Sequence, residues 1–109
     1  MSGMILKLAR KETFYLNGSL VQNGDRRAEL KLCTSAKILR SGLWLDESKV
    51  SRSLYHRLYF WWQQVVAGII TDVTEIEKMR TEISSHLLVK GEDSPYAILK
   101  LIAERIRQQ

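Results

Sequence analysis

FYLNGSLVQNGDRRAELKLC, Phe14 to Cys33, is the stretch that decides the fold. It holds two Asn-Gly steps, Asn17-Gly18 and Asn23-Gly24, each flanked by apolar or alternating runs. Asn-Gly takes positive φ at low cost and is a strong short-range hairpin signal, so the stretch predicts three consecutive antiparallel strands. In the last of these, Ala28, Leu30 and Leu32 alternate with Arg27, Glu29 and Lys31, the pattern of a sheet with one wet face. The second loop sets Arg26 and Arg27 beside its turn, where two guanidinium groups can be offered to a partner.

Working outward, Met4, Leu6 and Leu8 share one face of an earlier strand, with Ile5 and Lys7 on the other, and Arg10-Lys11-Glu12 makes a polar turn. Ala36 to Arg40 is a shorter strand, and Leu43-Trp44-Leu45 is either a last strand or an apolar entry to the helices. Further on, Leu54, Leu58, Trp61 and Val65 fall at helical spacing, widened by Tyr55 and Trp62. Arg52, His56, Arg57, Gln63 and Gln64 take the polar side, Phe60 lies among them, and Gly68 ends the helix. Asp72-Val73-Thr74-Glu75 is a capping box with Asp at its head; Val73, Ile76, Met79, Ile83 and Leu87 follow on one face, and Gly91 is the candidate C-cap. Ser94-Pro95 caps a last helix striped by Ile98, Leu101, Ile102 and Ile106. The expected fold is α+β, an N-terminal antiparallel β-meander of about five strands followed by two to three α-helices. One domain, 1–109, is expected, with a β-rich basic half (1–45) and a helical half (46–109).

A similarity to a known family rests on the run Phe14 to Arg27, on Leu30-Lys31-Leu32 and on Leu58-Tyr59-Phe60. These residues resemble the FlbT family of flagellar biosynthesis regulators, well over about residues 4 to 62 and weakly beyond. The resemblance places a Thr-Pro pair where this chain has Ser53-Leu54, which points to Ser53 as the N-cap of the first helix, without the proline. It implies post-transcriptional control: association with the 5′ untranslated region of flagellin mRNA and promotion of its decay.

At 109 residues and 45% hydrophobic content the chain can bury a modest core. It has no apolar run near the ~20 residues a membrane helix needs, and Met1 to Lys11 lacks a signal peptide's apolar region, so no membrane role and a cytoplasmic location are expected. Up to Leu45 there are eight basic residues against three acidic; from Asp46 onward there are nine of each, so the whole net charge of +5 belongs to the first part. Such asymmetry suits a polyanion-facing surface, and equally a solvated face that keeps a small domain soluble.

Catalysis finds little in the residues. His56 and His86 stand apart from any nucleophile or metal motif, the six glycines form no phosphate loop, and Cys33 is a lone small strand residue. No enzyme activity, cofactor or metal is expected. The RNA-binding candidates are Arg26, Arg27, Lys31, Lys7 and Tyr15: guanidinium pairs with phosphate and stacks on bases, and tyrosine offers a stacking surface. Against them stands a structural role, with Arg27 paired to Glu29 or either arginine to Asp25. A common outer face for Lys7, Tyr15, Arg27 and Lys31 depends on strand register. The Leu58–Trp62 run is mostly core, and Phe60, Trp61, Trp62 and Tyr59 are its candidates for a partner interface, making a homo-oligomer. The partners implied are the flagellin mRNA leader or, in a protein-adaptor reading with indirect effects on mRNA, flagellin or a FlaF-like protein.

Overall fold

The computed structural model describes residues 4–109. Its strands are β1 (Met4–Leu8), β2 (Thr13–Leu16), β3 (Ser19–Gln22), β4 (Ala28–Leu32) and β5 (Ile38–Arg40). Two short 3-10 helices, Ser41–Leu43 and Glu47–Arg52, lead into α1 (Leu54–Val66), α2 (Val73–Ser84) and α3 (Pro95–Arg107). The α+β order is the one expected, with all strand pairs antiparallel.

The two Asn-Gly steps behave differently. Asn17 (φ 49°) and Gly18 (φ 85°) both take the left-handed region, giving a type I′ turn that pairs Leu16 with Ser19 in the β2–β3 hairpin. Asn23 and Gly24 make no such turn. The Asn23 side chain donates to the carbonyls of Ala9 and Arg26 (2.8 Å each), its N–H donates to Glu12 O (2.8 Å), and Gly24 O accepts from Lys11 N (2.8 Å). The second loop is thus tied across to the β1–β2 turn, and β4 pairs with β1 instead of β3. This corrects the meander: the sheets are β1-β4 and β3-β2-β5.

The physical reason lies on the two faces of β2. Phe14 and Leu16 point one way, toward a cluster with Leu6, Leu8, Val21, Leu30, Leu32 and Ile38; Tyr15 and its partner Leu39 point the other way, into the helices. A sheet apolar on both sides needs two covers. Folding β1 and β4 back supplies the first, and α1, α2 and α3 supply the second. Met4, expected beside Leu6 and Leu8, sits at the strand end and is exposed.

Each helix starts where its cap directs. Ser53 Oγ accepts from His56 N (3.2 Å), Asp72 Oδ1 from Glu75 N (3.1 Å) and Ser94 Oγ from Ala97 N (3.1 Å). Helix α1 closes with Gly68 N–H to Val65 O (3.1 Å) and Ile69 N–H to Gln64 O (2.9 Å), a Schellman motif whose left-handed residue is Gly68 (φ 84°). Helix α2 stops at Ser84, short of the expected Gly91. Arg80 accounts for the difference: its guanidinium donates to the carbonyls of Lys90, Gly91 and Asp93 (3.0–3.2 Å), satisfying a loop rather than a further helical turn.

Leu43-Trp44-Leu45 does not form a strand. Gln63, assigned to the polar side of its helix, is fully buried and serves this segment as a substitute strand partner: Oε1 accepts from Leu45 N (2.7 Å) and Nε2 donates to Leu45 O (3.1 Å). Arg40 joins the sheets. Its Nε and Nη2 donate to the two Glu12 carboxylate oxygens (2.7 and 2.8 Å), and Nη2 also donates to Lys7 O in β1 (2.6 Å). That Arg40 hydrogen bond, with a further one from Ala9 N–H, holds the Glu12 carboxyl below its ordinary range.

Two predictions test these contacts. A Cβ at Gly18 would lie 2.7 Å from Gly68 O, and one at Gly68 would lie 2.9 Å from Gly18 N, both at positive φ. Either glycine changed to Ala is expected to destabilise by about 2 kcal/mol or more in denaturant unfolding. Gly24→Ala, with nothing near its Cβ, should stay within about ±0.5 kcal/mol. Because the Glu12 pKa is depressed, its contribution is present above the ordinary glutamate value of 4.5 and is lost as pH falls through the lower folded value. The melting-temperature gap between wild type and Glu12→Gln should therefore be constant near neutrality and shrink below about pH 4.5.

Candidate nucleic-acid interface

The register of β1 with β4 sets Ile5 opposite Lys31 and Lys7 opposite Glu29. Leu6, Leu8, Leu30 and Leu32 turn inward, so alternation puts Ile5, Lys7, Glu29 and Lys31 on the outer face, all exposed. Arg27, exposed just before β4, continues the same row, and Lys7, Arg27 and Glu29 line a shallow groove of about 510 Å³. Arg26 lies exposed in the adjoining loop. Three of the five RNA-binding candidates, Lys7, Arg27 and Lys31, therefore share one side of the β1-β4 sheet, with Arg26 in the loop next to Arg27.

Tyr15 is not among them. It belongs to the other sheet, faces the helices, and its ring stacks on Trp44 with centroids 4.6 Å apart. Strand periodicity alone could not place it, because the face it shares depends on which strands pair.

Charge is distributed as a binding surface requires. Of the eight cations before Asp46, Arg40 is held by Glu12 and Lys11 by Asp25 (2.9 Å). Among the described residues Lys7, Arg10, Arg26, Arg27, Lys31 and Lys37 make no ion pair, and neither does Glu29. The structural roles considered for Arg26 and Arg27, pairing with Asp25 or Glu29, are absent there: Asp25 is taken by Lys11. An Arg or Lys without a partner is free to exchange its water for a phosphate oxygen.

The aromatic candidates for a partner interface divide. Trp62 is fully buried, its Nε1 donating to Pro95 O (2.8 Å). Tyr59 is buried with its hydroxyl donating to Leu43 O, and burial raises the pKa of that hydroxyl. Both side chains are spent inside the chain and offer no outer surface, which corrects their assignment as interface residues. Trp61 is half-buried against the same core, and Phe60 is half-buried. The core holds them because α1 is wedged between the β3-β2-β5 sheet and α3, so more of its circumference is covered than a one-stripe helix would have. His56 Nδ1 pairs with Ser53 Oγ (2.8 Å) and His86 lies 3.4 Å from Glu82, each at its own helix. Cys33 is exposed. No helix among the described residues is long and apolar enough to cross a membrane, and no cluster of three metal-ligating side chains occurs among them.

Comparison with known proteins agrees with the motif. The family model described as flagellar protein FlbT matches residues 4–109. The flagellum biosynthesis repressor protein FlbT of Caulobacter vibrioides (strain ATCC 19089 / CIP 103742 / CB 15) is 37% identical over 86 residues, covering 77% of this chain and 57% of the relative. A probable flagellum biosynthesis repressor protein FlbT of Caulobacter sp. (strain K31) is 46% identical over 88 residues, covering 77% and 62%. The chain thus spans about three-fifths of the length of these relatives. No solved structure matches. With the family model matching every described residue, from the start of β1 onward, the chain belongs to the FlbT family of flagellar proteins.

Proposed function

We propose that the chain is a regulator of flagellum biogenesis that represses after transcription, associating with the 5′ untranslated region of flagellin mRNA and promoting its degradation. The observation that supports this reading is the outer face of the β1-β4 sheet, where Lys7, Arg27 and Lys31 stand exposed and, among the described residues, free of ion pairs, with Arg26 in the adjoining loop. Such a face tracks phosphates, while unpaired loop bases supply the specificity that a phosphate contact lacks. The role is non-enzymatic: the chain holds the message and leaves its cleavage to other factors. It acts in the cytoplasm, where the message is.

Replacing Arg26 and Arg27 with Ala, and in a second variant Lys7 and Lys31, should weaken binding of the flagellin leader RNA. For every cation–phosphate pair removed, the slope of log affinity against log salt should flatten by about 0.7. These side chains are exposed and unpaired, so unfolding should move by no more than about 0.5 kcal/mol each. Full binding with an unchanged slope in both variants would remove RNA from this face. A pull-down with flagellin or a FlaF-like protein would then decide for a protein adaptor with indirect effects on mRNA.

A further inference from the structure

Strand β5 is an outer strand of its sheet, and among the described residues no backbone hydrogen bond is made on its side away from β2. Asn17 N–H donates to Lys37 O (2.8 Å) and Lys37 N–H to Asn17 Oδ1 (2.9 Å), so Lys37 faces β2; by antiparallel alternation Leu39 faces β2 as well. Ile38 and Arg40 then direct their N–H groups, and Ile38 its C=O, away from the sheet. Unpaired strand edges invite another strand. This one is recessed, because it forms part of the lining of a groove of about 480 Å³. Met4 lines it on the side of the β1-β4 sheet, and Leu43, Val66, Pro95 and Tyr96 line it on the helix side. Met4, Leu43 and Tyr96 are 57%, 40% and 46% exposed.

The occupant can be argued from that shape and from charge. Apolar walls on both sides of an unpaired backbone suit a segment whose successive side chains go alternately to either wall. The charged side chains at the groove are Lys37 and Arg40; Arg40 is already neutralised by Glu12, while Lys37 is exposed and unpaired among the described residues. The N-terminal turn of α3, at Pro95 and Tyr96, adds positive potential on the same side. Among the described residues no carboxylate lines the groove. A second copy offering its own β5 would set one recessed edge against another, which suits it less well than a single extended segment.

We propose that the β5 edge is a docking site for an extended segment of a partner protein, which joins the β3-β2-β5 sheet as a further strand, fills the groove with alternating apolar side chains and sets a carboxylate against Lys37. The site lies apart from the outer face of the β1-β4 sheet and does not depend on RNA binding there.

The test is selection of a phage-displayed random-peptide library on the purified protein. Synthetic copies of the selected peptides are then titrated against wild type, Lys37→Glu and Tyr96→Glu. Lys37 and Tyr96 are both exposed, and an acidic residue in the first turn of α3 suits the helix dipole, so both variants should fold. Selected peptides are expected to alternate apolar residues and to carry Asp or Glu. Their binding should fall about tenfold with Lys37→Glu, and further with Tyr96→Glu, while amide exchange at Ile38 and Arg40 slows in the wild-type complex. Leader-RNA binding should be the same for Tyr96→Glu as for wild type. The proposal is overturned if no peptide is enriched, if peptides bind Tyr96→Glu as well as wild type, or if protection appears elsewhere. It is equally overturned if sedimentation shows a dimer that Tyr96→Glu dissociates, because a second copy would then be the occupant.

Discussion

Two backbones cross at Gly18 and Gly68 closely enough to exclude any side chain. Gly18 N–H donates to Ala67 O at 2.7 Å, and the carbonyl of Gly68 occupies the space a Gly18 Cβ would need. Each glycine is also demanded locally, one by a type I′ turn and the other by the left-handed end of a helix. Two independent local motifs therefore meet at one point, and their meeting sets the β2–β3 hairpin against the end of α1. From that contact the helix side of the β3-β2-β5 sheet, Tyr15 and Leu39, is held over α1, and Tyr59 and Trp62 of α1 turn inward.

Covering both faces of that sheet leaves the β1-β4 sheet as the outermost layer, half of it given to the core and half to water. Charge can accumulate on such a layer without cost to packing, because none of its outward side chains is needed inside. Two aromatic residues of α1, by contrast, are used up. Trp62 and Tyr59 each place a polar atom on a backbone carbonyl, as buried Trp and Tyr require.

Local signals in the sequence were sufficient wherever the structure is local. The caps at Ser53, Asp72 and Ser94, the turn at Asn17-Gly18 and the helix end at Gly68 all stand where the residues put them. The second Asn-Gly misled because Asn23 has a side-chain amide that found two carbonyls, Ala9 and Arg26, and so satisfied the loop without a tight turn. Pairing of β4 with β1 is non-local and invisible to periodicity, and with it went the placing of Tyr15. Gln63 was hidden for another reason: one buried amide facing one backbone segment carries no pattern along the chain. The cationic face was legible as a charge excess in composition, yet which cations are free was not, since Arg40 and Lys11 look like their neighbours until their carboxylates are seen.

Arg40 also determines how the two candidate surfaces are related. Its guanidinium ends on the Lys7 carbonyl, in the strand whose outward side chains make the cationic face, and its own N–H lies along the open edge of β5. An arginine whose Nε and Nη2 are engaged by Glu12 and by a backbone oxygen is poorly suited to phosphate, so its charge stabilises the junction rather than attracting a polyanion. That junction keeps β1 and β5 one side chain apart without a ladder between them. The gap preserves an unpaired backbone at Ile38, and the same bonds fix β1 so that Lys7 and Lys31 remain presented to solvent. A single structural ion pair, made by one of the three acidic residues before Asp46, thus bridges β1 and β5.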